Sequence, residues 1–131
     1  MIDIHIKSIP NEKFRVVGGI GDYWYDDEGV LQIRVVELGD EFMEKSIAIH
    51  ELVEEALTKN RGLPEPEIQA FDEYYSQRQK MGLVPEDTEP GHDPNCIYKN
   101  EHCFAESVEM GMFALAGASW KEYEDKINAI T

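Results

Sequence analysis

The chain has 131 residues and a mass of 15.0 kDa, enough for one domain with a core of its own and too little for two. With 42% hydrophobic and 10% aromatic residues it carries more apolar surface to bury than a disordered chain does. Its 27 acidic against 12 basic residues leave a formal net charge of −15, which opposes general binding to nucleic acid or to anionic membrane surfaces and leaves metal cations and basic proteins as favoured partners.

In MIDIHIK, Ile2, Ile4 and Ile6 fall on one face and Asp3, His5 and Lys7 on the other. That is the period of a half-buried strand with His5 in solvent. The same opening is too charged for a signal or transit segment, and no apolar run reaches the length of a membrane span, so a cytoplasmic location is expected. A glycine-rich stretch, VGGIGD, leads into YWYDDEGVLQIRVVEL, where Asp27-Glu28-Gly29 separates two β-rich runs and predicts a hairpin. Three short strands cannot close a barrel, so a small antiparallel sheet packed on helices is expected.

From Asp40 the period becomes helical, with Asp40 as N-cap and Gly62 as the stop after Arg61. Pro64 and Pro66 open a second helix that runs to about Lys80. MGLVPEDTEPGHDPNCI, residues 81 to 97, has no periodicity and is long for a loop in so small a domain. A third helix is predicted from about Tyr98 to Ala116, and a short fourth one capped by Ser119. The expected fold is therefore α+β: one domain over 1–131, with a sheet region at 1–38 and a helical region at 40–131. Cys96 and Cys103 are too few and wrongly spaced for a disulfide framework, and Cys103 is expected as a small core residue.

Stepping round the first long helix at about 100° per residue places His50 and Glu54 within the apolar arc, with Glu51, Glu44 and Glu55 opposite it in solvent. An ionised carboxylate turned toward a core costs several kcal/mol unless it is paired or bound to metal. On the third helix His102 and Glu106, again four apart, share a face with Phe113 and Ala116, and Asp72 lies at the edge of the second helix's apolar arc. A single such histidine is most simply a hydrogen-bonded core residue. Two HxxxE pairs with few inward basic partners point instead to metal, because residues i and i+4 project side by side. His50, Glu54, Asp72, His102 and Glu106 form the expected ligand set. Zn²⁺ suits two imidazoles with carboxylates, and Mn²⁺ or Fe²⁺ a fuller carboxylate shell. His92 and Cys96 in the long loop could add a ligand or cover the site, an ordinary surface loop being the plainer expectation.

The stretch HELVE, His50 to Glu54, resembles the HExxH helix of zincin metallopeptidases with glutamate in place of the second histidine. The resemblance implies His50 and Glu54 as zinc ligands, Glu51 as the general base that polarises water, and Glu67 or Asp72 as a further acidic ligand from a following helix. It implies a hydrolase acting on a peptide or other small substrate. The wider layout, HELVE followed by Phe71-Asp72, Glu89-Pro90-Gly91 and Glu101-His102-Cys103-Phe104-Ala105, is similar to short bacteriophage-encoded proteins of no assigned activity, which would place the chain in the host cytoplasm. HELVEEAL also resembles the first Mg²⁺-binding motif of MazG-like nucleotide pyrophosphatases, although no ExxD follows on the next helix. Outside the enzymes, an acidic chain with the aromatics of DYWYDDEG exposed would suit a module that engages a basic protein or mimics DNA.

Overall fold

The computed structural model describes residues 1–16 and 19–130, so Val17 and Gly18 of the glycine-rich stretch lie outside it. Strands β1 (Ile4–Ile9), β2 (Gly21–Tyr25) and β3 (Leu31–Val36) are followed by helices α1 (Glu41–Asn60), α2 (Glu65–Lys80), α3 (Lys99–Ala116) and α4 (Trp120–Ile130). The expected α+β class holds, with one correction. The sheet is mixed, in the order β1-β3-β2, with β3 antiparallel to β2 and parallel to β1. The reason lies in LQIRVV: five of the six residues of β3 are buried, a burden only a central strand can carry, so β3 inserts between the two strands that precede it.

The hairpin turn forms as its residues dictate. Asp26 accepts backbone N–H bonds from Glu28 and Val30 at 2.9 Å through Oδ1, and Gly29 takes the left-handed conformation (φ +82°) that other residues resist. The three aromatics of this hairpin are packed to different degrees. Tyr23 is buried, Tyr25 and Trp24 are half-buried, and the guanidiniums of Arg15 and Arg34 stand 4.6 and 5.1 Å from the Trp24 ring centroid.

Helix α1 starts where Asp40 accepts from the Met43 N–H at 3.0 Å and stops at Gly62 (φ +80°), a side-chain N-cap and a glycine C′ residue. It lies across β2 and β3 on one side and along α3 on another. This double contact corrects the expectation from its apolar arc. Glu51, Glu55 and Thr58 are buried, whereas Ala56 and Leu57 face solvent. Polar partners on β2 account for the rotation: the Tyr23 hydroxyl lies 3.0 Å from Thr58 Oγ1, the Tyr25 hydroxyl donates to Glu55, and Gly21 leaves room for the Glu51 chain. Because α1 covers chiefly β2 and β3, the outer strand β1 is covered less: Ile4 and Ile9 pack against the core and Ser8 donates to Glu44 of α1, but Ile6 is 55% exposed rather than half-buried. His5 is in solvent as expected.

At the far end Phe113 of α3 stacks on Tyr123 and meets Phe42 and Trp120 edge-on, which docks α4. Ser119 caps α4 by accepting from the Glu122 N–H at 3.1 Å. The expected thiol positions are exchanged: Cys96 is buried in the core and Cys103 is exposed, both unpaired. Among the described residues no helix is long and apolar enough to cross a membrane.

Candidate metal centre

One turn of helix separates His50 from Glu54, and the contact of α1 with α3 turns both toward His102. His50 Nε2 and His102 Nδ1 lie 2.6 and 2.7 Å from the same oxygen, Glu54 Oε2, and 3.1 Å from one another. All three side chains are buried. The other nitrogen of His50 bonds to Glu109 Oε1, and Glu109 Oε2 accepts from the Tyr123 hydroxyl at 2.5 Å. A carboxylate on the remote ring nitrogen is the arrangement that orients metal-ligating histidines.

The far side of His102 opens onto a second group. His102 Nε2 lies 3.3 Å from Glu89 Oε1 and 3.8 Å from Glu106 Oε2, and His92 Nε2 lies 2.8 Å from Glu106 and 3.3 Å from Glu89. Glu89 and His92 come from the connection between α2 and α3, whose short 3-10 turn Pro90–His92 passes over the His102 ring. Gly91 permits this, since a Cβ there would overlap the imidazole. The outer group is the more open one: the side chains of His92, Glu89 and Glu106 are 47%, 37% and 32% exposed. Both groups, His50-Glu54-His102 and Glu89-His92-His102-Glu106, have donor atoms close enough to hold a metal ion.

Electrostatics follow from burial and pairing. Burial disfavours charge on His50, but bonds to Glu109 and Glu54 outweigh it and raise its pKa to about 11. His102 is raised to about 10, burial again being outweighed by Glu54 and Glu89. Burial works against the charge on Glu54 too, yet the two imidazoles bring its pKa below the usual carboxylate value. Glu51 differs. Burial, with the Glu54 charge added, pushes its carboxyl well above the ordinary range.

Of the sequence-predicted ligands, His50, Glu54, His102 and Glu106 all reach the two groups, the first three in the inner one and Glu106 in the outer. Asp72 does not. It accepts a 2.6 Å hydrogen bond from Tyr98, and burial raises its pKa to about 7. Glu51 packs against β2, where a Cβ at Gly21 would stand 2.9 Å from its carboxyl carbon, outside both groups. Glu89, His92 and Glu109 were not in the predicted set. Helical phase places Glu109 beside His102 and Phe113, whereas no periodicity announces the two loop residues. No family model matches the chain, and neither the curated proteins nor the solved structures include a match to it.

Proposed function

We propose that the protein is a divalent-metal protein whose centre has the composition of a catalytic zinc site and serves metal-assisted hydrolysis of a small-molecule or peptide substrate. One observation carries this reading: His50 Nε2, Glu54 Oε2 and His102 Nδ1 converge within 3.1 Å of one another. Ligands on bonds of about 2.0–2.1 Å at tetrahedral angles stand roughly 3.3 Å apart, so small outward shifts of these atoms make three corners of one coordination sphere. Two histidines and a glutamate with a fourth position free is a composition that catalytic zinc sites use, and zinc there lowers the pKa of bound water. Zn²⁺ is the preferred ion, with Mn²⁺ or Fe²⁺ acceptable to the same donors. In this reading the Glu109 carboxylate orients His50.

The acids of α1 turn in different directions, Glu54 to the histidines and Glu51 and Glu55 to β2, which lends nothing to a shared Mg²⁺ site of pyrophosphatase type. An acidic protein-binding module is the second reading. It is favoured by the exposed apolar side chains of α3, Phe104 and Leu115 on one side of the helix and Met110 on another.

Elemental analysis of tag-free protein and of a His50→Ala, Glu54→Ala variant tests the proposal. Zinc, manganese or iron bound at about one equivalent or more, and reduced in the variant, supports it. A folded, metal-free wild type that takes up no ion on addition sinks it in favour of the binding module.

A further inference from the structure

His102 stands in both groups and offers each a different ring nitrogen. Nδ1 faces Glu54 and His50, while Nε2 faces Glu89 and Glu106. The two donor sets share no other residue. We propose that the centre is dinuclear, with an inner ion on His50, Glu54 and His102 Nδ1, an outer ion on Glu89, His92, Glu106 and His102 Nε2, and the His102 ring as a bridging imidazolate between them. This rests on the metal-binding reading above and adds a second ion to it.

Three features support two ions over one. The outer donors lie 2.8, 3.3, 3.3 and 3.8 Å apart along four of their edges, which brackets the roughly 3.3 Å edge of a tetrahedral zinc sphere. They are therefore spaced as ligands in their own right rather than as supports for the inner ion. Charge argues the same way. Four carboxylates, those of Glu54, Glu89, Glu106 and Glu109, surround three imidazoles, and among the described residues no Lys or Arg bonds to any of them. With His50 and His92 neutral and His102 an imidazolate, the set carries five negative charges, of which one divalent ion offsets two and two ions offset four, which matters most for the buried pair, Glu54 and Glu109. Finally, Gly91 lets the loop backbone lie on the His102 ring, which holds the ring edge-on between the two sets. Coordination is balanced simply: the neutral ring releases its single N–H proton to solvent, each nitrogen then gives a lone pair to an ion, and the ring's negative charge is shared by both. The ions would stand roughly 6 Å apart, two metal–nitrogen bonds of about 2 Å plus the span of the ring.

The test is metal content by mass spectrometry on the full chain, loaded with Zn²⁺ and dialysed, with circular dichroism to show that each variant folds. Wild type should hold about two equivalents, and both His92→Ala with Glu106→Gln and, separately, His50→Ala should hold about one. His92 and Glu106 are partly exposed, so that variant guards against loss of fold. Loading with Cu²⁺ then tests the bridge. An imidazolate couples the two spins and makes the low-temperature electron paramagnetic resonance signal much weaker than the copper content requires. Two coppers with full, uncoupled intensity overturn the bridge. A wild type holding one zinc overturns the dinuclear centre and leaves the metal reading standing, whereas no zinc at all removes both.

Discussion

Glu109 was not among the ligands expected from the sequence, yet it governs one of them. Its carboxylate holds the Nδ1 side of His50 while the Tyr123 hydroxyl holds the carboxylate, so Nε2 is aimed at Glu54. Glu109→Gln keeps the shape and weakens the hold. Zinc affinity should fall roughly 10- to 100-fold, the usual cost of removing such a support, as read by competition with a chromogenic chelator; an unchanged affinity would show that His50 needs no orienting partner. Asp72 gives a prediction of another kind. Burial raises its pKa to about 7 in the folded protein against about 3.9 in an unfolded chain. The folded state therefore keeps a proton that the unfolded state has released, and stability falls as pH rises from about 4 through 7. In metal-free protein Asp72→Asn should lack this part of the fall. The variant should gain on wild type by up to a few kcal/mol between pH 5 and pH 8 in urea unfolding, and parallel curves would show that the carboxyl titrates normally.

Helix α1 is where the reading of elements is best tested. Its buried flank toward the sheet depends on hydroxyls: Thr58 Oγ1 donates to the Glu54 carbonyl at 2.7 Å and lies 3.0 Å from the Tyr23 hydroxyl. Thr58→Val conserves volume but leaves the buried Tyr23 hydroxyl without that partner, and should cost about 1–3 kcal/mol. Urea midpoints measure it, and a loss below about 0.5 kcal/mol would mean that the tyrosine repairs its bond elsewhere. The helix boundaries were legible because Asp40, Gly62, Ser119 and the prolines at 64 and 66 act locally, through a cap or a backbone angle. The two HxxxE pairs were legible because spacing on a helix is geometry. Which face of α1 would be buried was not, since periodicity weighs apolar character alone and could not know that two tyrosine hydroxyls on β2 would accommodate Glu55 and Thr58. The expectation of an antiparallel sheet failed for a related reason: parallel pairing of β1 with β3 joins residues 27 positions apart, Ile4 with Leu31, and no local signal encodes it. Glu89 and His92 lie in a segment without a period and were beyond a reading built on periods.

At the scale of the molecule, a net charge of −15 means that any added cation stabilises the fold by screening self-repulsion. A specific site does more. At equal ionic strength Zn²⁺ should raise the melting temperature well beyond Mg²⁺, because an ion at a thousand times its dissociation constant adds about 4 kcal/mol; equal shifts for the two ions would reveal screening alone. The chain order of the sheet bears on handling as much as on stability. β1 carries few buried side chains of its own, but it occupies the hydrogen-bonding edge of the most apolar strand, from Leu31 to Val36. It works as a cover. A chain begun after Pro10 would keep the core of β3 and its contacts with α1, yet present a bare edge of Leu, Ile and Val to solvent, which is a template for pairing with another molecule. Such a truncation should therefore show itself first as concentration-dependent self-association in sedimentation. A species that stays monomeric would mean that β1 is dispensable to both ends.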